Sequence, residues 1–209
     1  ASLRLGYLLS QDDYGAAIEL NHKVSTFPLP DLAVGRLVET PAEIIGMLDA
    51  YLSTAAGVVD TPTASLVTGY DFLTDSAQAV QAAFEAGIGA AADTLIAPAN
   101  QSPADPDAWT ATDLRASLLS NRHDLIFLAG HFSAGSALAA DYTTRLLASE
   151  VASATVDLQN VILFSAGCHS GYSLVNAHGI AGISPQPDWA QAFARQRVTF
   201  IGGTGYQYG

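Results

Sequence analysis

The apolar positions of this chain fall into short continuous runs separated by stretches of helical periodicity. Two runs carry the most information. Asp-Leu-Ile-Phe-Leu-Ala-Gly occupies 124–130, and His131 follows at once. Asn-Val-Ile-Leu-Phe-Ser-Ala-Gly occupies 160–167, followed by Cys168, the only cysteine. Short apolar runs closed by glycine predict buried parallel strands, here 124–129 and 161–166. Further runs at 3–9, 32–37, 64–68, 94–97 and 198–202 predict more strands.

Helix signals lie between them. Thr40-Pro41-Ala42-Glu43 places Thr at the cap, Pro at the first position and Glu at the third. That helix is predicted to run to about Ala55, with Ile44, Ile45, Leu48, Tyr51 and Leu52 on one face. Asp75 and Ser76 open a helix to about Ala86, closed by Gly87. Thr112 caps another to Ser120, one lies near 144–153, and Pro187-Asp188 opens the last. Residues 10–14 read as a polar loop and 15–30 as irregular, since Pro28 and Pro30 exclude a central strand. Residues 98–108, 133–140 and 168–184 read as loops. Strands alternating with helices predict an α/β fold with a mainly parallel sheet.

Composition narrows the function classes. The chain has 209 residues, is 49% hydrophobic and carries a net charge of −12. One globular domain is the expectation. Lys23 is the only lysine. The acidity argues against a nucleic-acid partner and against anionic membrane surfaces. No apolar run approaches the ~18 residues that span a bilayer. A single cysteine excludes an internal disulfide. The chain begins at Ala1 and stops soon after a strand-like run, which predicts a domain incomplete at both ends.

The chemistry is expected beyond the carboxyl ends of the strands, where open α/β sheets place it. His131 and Cys168 at two neighbouring strand tips are placed to form a thiolate–imidazole pair. Thirty-seven residues separate them, enough for one helical crossover. Gly167 and Gly171 flank Cys168, whose own N–H is a candidate oxyanion donor. Asp71, after the 64–68 run, is a candidate third member orienting the imidazole, or else a capping carboxylate. A bland alternative stands beside each residue: an inert buried thiol, a solvated histidine. His169 and His178 compete as bases, and with His131 and Cys168 they are a candidate metal set, though no tight ligand spacing is present. Asp12, Asp13, Asp31 and Asp75 are candidate calcium ligands without EF-hand spacing. Gly202, Gly203 and Gly205 lack the Lys and Ser/Thr of a phosphate loop.

The strand–His, strand–Cys order resembles the caspase-like cysteine peptidases, and several segments are similar to their gingipain-type branch. These are Pro-Asp-Leu-Ala-Val-Gly-Arg-Leu (30–37) with the helix after it, Leu-Val-Thr-Gly-Tyr-Asp-Phe (66–72), Trp-Thr-Ala-Thr-Asp-Leu (109–114), and the stretch from Asp188 through Tyr206. The resemblance implies a three-layer α/β/α sandwich over 1–209 and a cysteine endopeptidase. It implies Cys168 and His131 as the dyad and places Asp71 where the family has an acidic residue behind the His. The N–H groups of Cys168 and Phe132 would form the oxyanion hole. It also implies secretion or surface location, proteolytic maturation, a protein or peptide substrate, association with other segments of the same precursor, and structural calcium, with no organic cofactor. Two departures stand out. Phe132 replaces the Gly that usually follows the His, and Gly167 replaces the Ala that usually precedes the Cys. The stretch 78–83, comparable to the acid-bearing specificity segment of basic-residue-specific members, holds no acid. The competing expectation is a catalytically inactive scaffold of the same fold, acting as a surface binding or assembly module.

Overall fold

The computed structural model describes residues 12–21, 23, 26–55, 57–102, 105–174 and 187–207. The expected strand at 3–9, together with His178, lies outside the described residues. The chain divides into two compact units, Ala1–Leu37 and Val38–Gly209.

In the first unit, one helical turn, α1 (Asp12–Gly15), leads into a two-stranded antiparallel ribbon of β1 (Ala16–Asn21) and β2 (Thr26–Pro30). The expectation of irregular chain at 15–30 is corrected. Pro28 pairs with Glu19 and Pro30 with Ala16 in a ribbon of two edge strands, where a missing N–H is tolerated. Asp31 Oδ2 accepts the Ala17 N–H at 2.8 Å and closes the ribbon's end. The run at 32–37 joins no sheet among the described residues, and Leu32 and Leu37 stay exposed.

The second unit is an α/β fold around a five-stranded, all-parallel sheet flanked by helices. Its strands are β3 (Ser65–Gly69), β4 (Asp93–Ile96), β5 (Leu125–Gly130), β9 (Ile162–Gly167) and β10 (Thr199–Gly202), in the order β10-β9-β5-β3-β4. Four of the predicted runs thus become neighbours, and 198–202 supplies the edge. The crossovers carry α3 (Thr74–Ile88), α4 (Ala111–Ser120), α5 (Ala148–Ala152) and α6 (Trp189–Arg195), and α2 (Pro41–Leu52) precedes β3. α2 starts as predicted, with Glu43 N–H donating to Thr40 Oγ1 and Thr40 N–H donating back to Glu43 Oε2 at 2.9 Å.

Other boundaries differ for local reasons. Thr110, not Thr112, caps α4, because Asp113 completes its capping box three residues on. Gly87 lies inside α3, and Gly89 ends it in the left-handed conformation, φ 77°. The 133–140 loop is a hairpin of β6 (Phe132–Ser133) and β7 (Ser136–Leu138) around Ala134-Gly135, extended by β8 (Arg145–Leu147). The helix expected near 144–153 shrinks to α5, since β8 takes its first turn and Glu150 accepts the Leu147 N–H.

One sheet face is well covered. Leu66, Ile126, Leu128 and Leu163 pack with Leu114, Leu118, Trp189 and Phe193. The opposite face is covered by α3 at β3, where Ala77 sits against Gly69. Farther along that face, the register aligns Val67, Phe127, Phe164 and Ile201 in one row. Val67 is fully buried, whereas Phe164 is 49% and Ile201 42% exposed. The apolar face predicted for α2 also points outward: Ile45, Leu48, Tyr51 and Leu52 are exposed, and Ala50 is the residue it buries.

Candidate active site

The central pair of strands, β5 and β9, is matched residue for residue from Leu125–Ile162 to Gly130–Gly167. Parallel neighbours lie about 4.8 Å apart. The next residues on the two strands are His131 and Cys168, so both leave the sheet at the same level from adjacent strands. Each terminal glycine is dictated by an aromatic ring. A Cβ on Gly130 would lie 1.9 Å from Tyr70 Cε2, and Gly130 has φ 143°; a Cβ on Gly167 would lie 2.2 Å from Phe132 Cγ. Gly167, unusual for the resembled family, is thus paired with Phe132, the other unusual residue.

His131 is exposed to solvent but fenced by aromatic rings. Its ring centroid lies 5.3 Å from Tyr70, 5.1 Å from Phe72 and 5.5 Å from Tyr142, with Tyr70 and Tyr142 edge-on. Tyr70 is fully buried, and its hydroxyl donates to the Leu138 carbonyl. Burial pushes its phenol well above the ordinary range, so it stays protonated. Asp71 does not reach the imidazole: Asp71 Oδ1 accepts the Tyr142 hydroxyl at 3.0 Å, and no hydrogen bond joins Asp71 to His131 among the described residues. Tyr142 stands between them. Burial first, and then the Asp71 carboxylate, push its phenol up to about 12. Tyr142 adopts a left-handed φ of 53°, in a turn where Asp141 Oδ1 accepts the N–H groups of Thr143 and Thr144.

Cys168 is partly buried and engaged elsewhere. Its thiol donates to the Gln207 carbonyl at 3.5 Å and accepts the Gln207 N–H at 3.4 Å. Among the described residues no hydrogen bond joins it to His131. His169, the competing base, adopts φ 57° and turns its ring onto the segment after β10: Nδ1 lies 2.9 Å from the Thr204 carbonyl, and the ring packs 4.6 Å from Tyr206. Its N–H donates to the Gly205 carbonyl, and the Gly171 N–H donates to Gly203. Gly202 therefore serves close backbone packing, since its own Cβ would lie 2.9 Å from the Gly171 N and a Cβ on Gly171 would lie 2.0 Å from the Gly202 oxygen.

Phe132 keeps an available N–H. Leu138 N–H donates to the His131 carbonyl, so the adjacent Phe132–Ala137 pair is the non-hydrogen-bonded one, and the Phe132 N–H faces away from its hairpin partner. The Phe132 ring packs 5.7 Å from Trp189, whose Nε1 donates to the Ser133 carbonyl at 2.9 Å. The hairpin is thereby fixed to α6.

Among the described residues, no three His, Cys, Asp or Glu side chains gather as cation ligands. Asp75 Oδ1 accepts the Ser76 N–H, and Asp31 closes the β1–β2 ribbon. The stretch 78–83 lies within α3. No described helix is long and apolar enough to cross a membrane. Comparison with protein-family models, curated proteins and solved structures returns no match to this chain.

Three residues at this edge escape sequence reasoning. Tyr70 directly follows β3, and its aromatic character at a strand tip was a usable signal. Tyr142 and Gln207 lie in loops distant in sequence from both strands and carry no local signal.

Proposed function

We propose that the chain is a cysteine endopeptidase of caspase-like architecture, with Cys168 as nucleophile and His131 as acid and base. The observation that carries this reading is the Gly130–Gly167 register pair, from which the only cysteine and an exposed histidine emerge side by side. In the proposed reaction, Cys168 Sγ attacks the peptide carbonyl and its proton passes to His131. The N–H groups of Cys168 and Phe132 hold the oxyanion. His131 then protonates the departing amine, and water hydrolyses the thioester with His131 as base. Asp71 acts at one remove, through Tyr142. A secreted or cell-surface setting and association with other segments of the same precursor belong to the same proposal.

The engagement of the thiol with Gln207 favours a second reading, an inactive scaffold of this fold that binds or assembles. Cleavage of a diverse peptide library by the wild type and by Cys168→Ala separates the two. Cutting that disappears in the variant is the expected result. Absence of cutting by the wild type, with calcium present and after trial proteolytic activation, would move the assignment to the scaffold.

A further inference from the structure

Both members of the proposed dyad are held by something other than each other. His131 sits among Tyr70, Phe72 and Tyr142, and Cys168 Sγ is bracketed by the two backbone polar groups of Gln207. The hold on the thiol is not one chance contact. The segment 203–207 is fastened to the residues around Cys168 at four further points. These are Gly171 N–H to the Gly203 carbonyl at 2.9 Å, His169 Nδ1 to the Thr204 carbonyl at 2.9 Å, His169 N–H to the Gly205 carbonyl at 2.8 Å, and the His169 ring on Tyr206 at 4.6 Å.

The chemistry of the two Gln207 contacts gives the arrangement a direction. A sulfur that donates S–H to a carbonyl is a thiol, because a thiolate has no proton to donate and would face that carbonyl's lone pairs. Moving the proton to His131 therefore requires Sγ to leave the Gln207 carbonyl. A substrate carbonyl approaching Sγ would also have to enter beside the same backbone. From this we infer that residues 203–207 form an inhibitory strap, which holds Cys168 as a resting thiol turned away from His131. Displacing the strap frees the thiol. The inference rests on the dyad reading for its purpose, though the strap itself is a property of Cys168 alone.

The test uses the full chain, whose single cysteine makes the readout unambiguous. The rate of Cys168 alkylation by iodoacetamide at pH 7.5 (roughly physiological) is compared in wild type, His169→Ala, Tyr206→Ala and Gln207→Pro. His169→Ala removes two of the fastenings, Tyr206→Ala removes the ring contact, and Gln207→Pro deletes the N–H that donates to sulfur. Circular dichroism confirms that each variant is folded. Gln207→Pro changes a partly exposed segment after β10, so it stays informative if His169→Ala fails to fold. The strap predicts alkylation faster by roughly tenfold in the folded variants. An unchanged or slower rate overturns it. Repeating the series on a His131→Ala background separates the strap from the dyad. If the acceleration appears with His131 and shrinks without it, both stand. If the acceleration is undiminished without His131, the strap stands and the dyad reading is lost.

Discussion

Tyr142 donates its hydroxyl to Asp71 Oδ1 across 3.0 Å while its ring meets that of His131 at a steep 65°, centroids 5.5 Å apart. Under the proposed dyad, the acidic residue expected behind the histidine would act through an intermediary, with Tyr142 as a positioning residue for the imidazole. Tyr142→Phe keeps the ring and loses the link to Asp71; Asp71→Asn loses the charge at the other end. Each is expected to lower kcat/KM by about tenfold, some 1.4 kcal/mol in barrier, with KM little changed. The double variant is expected to match either single one. Additive losses in this double-mutant cycle would show that the two act separately.

The same pair gives an alkaline signature that does not depend on activity. Tyr142 is raised from an ordinary 10 to about 12, by burial first and then by Asp71. A raised phenol contributes stability that is complete below about pH 10 and is lost as pH climbs through about 12. Asp71→Asn removes the charge that opposes the phenolate. Ultraviolet titration should then show one tyrosine ionising at lower pH than in the wild type; an identical titration curve would contradict the pairing.

Glycine substitutions should separate strand tips from helix surface. Gly130→Ala drives a methyl into the Tyr70 ring at a φ of 143°, and is expected to cost at least about 3 kcal/mol or prevent folding. Gly87→Ala, exposed inside α3 with nothing within 4 Å of the added carbon, is expected to stabilise by about 0.5–1 kcal/mol. Urea unfolding of the two variants reads both signs.

Acid stability should depend on Glu43. Burial raises its carboxyl, but the Thr40 N–H, Arg195 at 2.6 Å and the Thr40 hydroxyl outweigh that and hold it at about 2. A lowered carboxyl stabilises the fold above its ordinary value of 4.5, and that contribution is lost as pH falls toward about 2. Glu43→Gln is expected to flatten this limb by on the order of 1–2 kcal/mol, after allowing for solvent screening of the partly exposed Arg195. Thermal melts at pH 6 and pH 3 (roughly neutral against acidic) measure it. An unchanged slope would mean that Asp124, Asp141 and Glu150, also held low, carry the acid limb instead.

The centre of the sheet was legible because β3, β5 and β9 bury at least one face and read as unbroken apolar runs; those around Phe127 and Phe164 matched within one residue. The hairpin at Phe132–Leu138 was not, because Ser, Ala and Gly give no alternation to read. Pro28 and Pro30 exclude a central strand but not a two-stranded ribbon, and there the inference went too far. On α2, the periodic stripe was real but points outward, since periodicity fixes a face without saying what covers it. At the site, the positions of His131 and Cys168 followed from strand ends. Their present partners, Tyr142 and Gln207, come from tertiary packing that no local pattern encodes.

The all-parallel sheet also governs how the molecule is reached from the unfolded chain. No neighbouring pair in it can be zipped from a tight turn: Ser65 must find Leu125, and Ile162 must find Thr199, across whole intervening helices. Such high contact order places refolding on the slow side, in roughly the millisecond-to-second range. The strand tips bearing His131 and Cys168 meet only after the crossover between β5 and β9 has closed, bringing Leu125 to Ile162. The proposed Cys168–His131 pair would thus belong to the folded molecule alone: the nascent chain carries both side chains but not their juxtaposition.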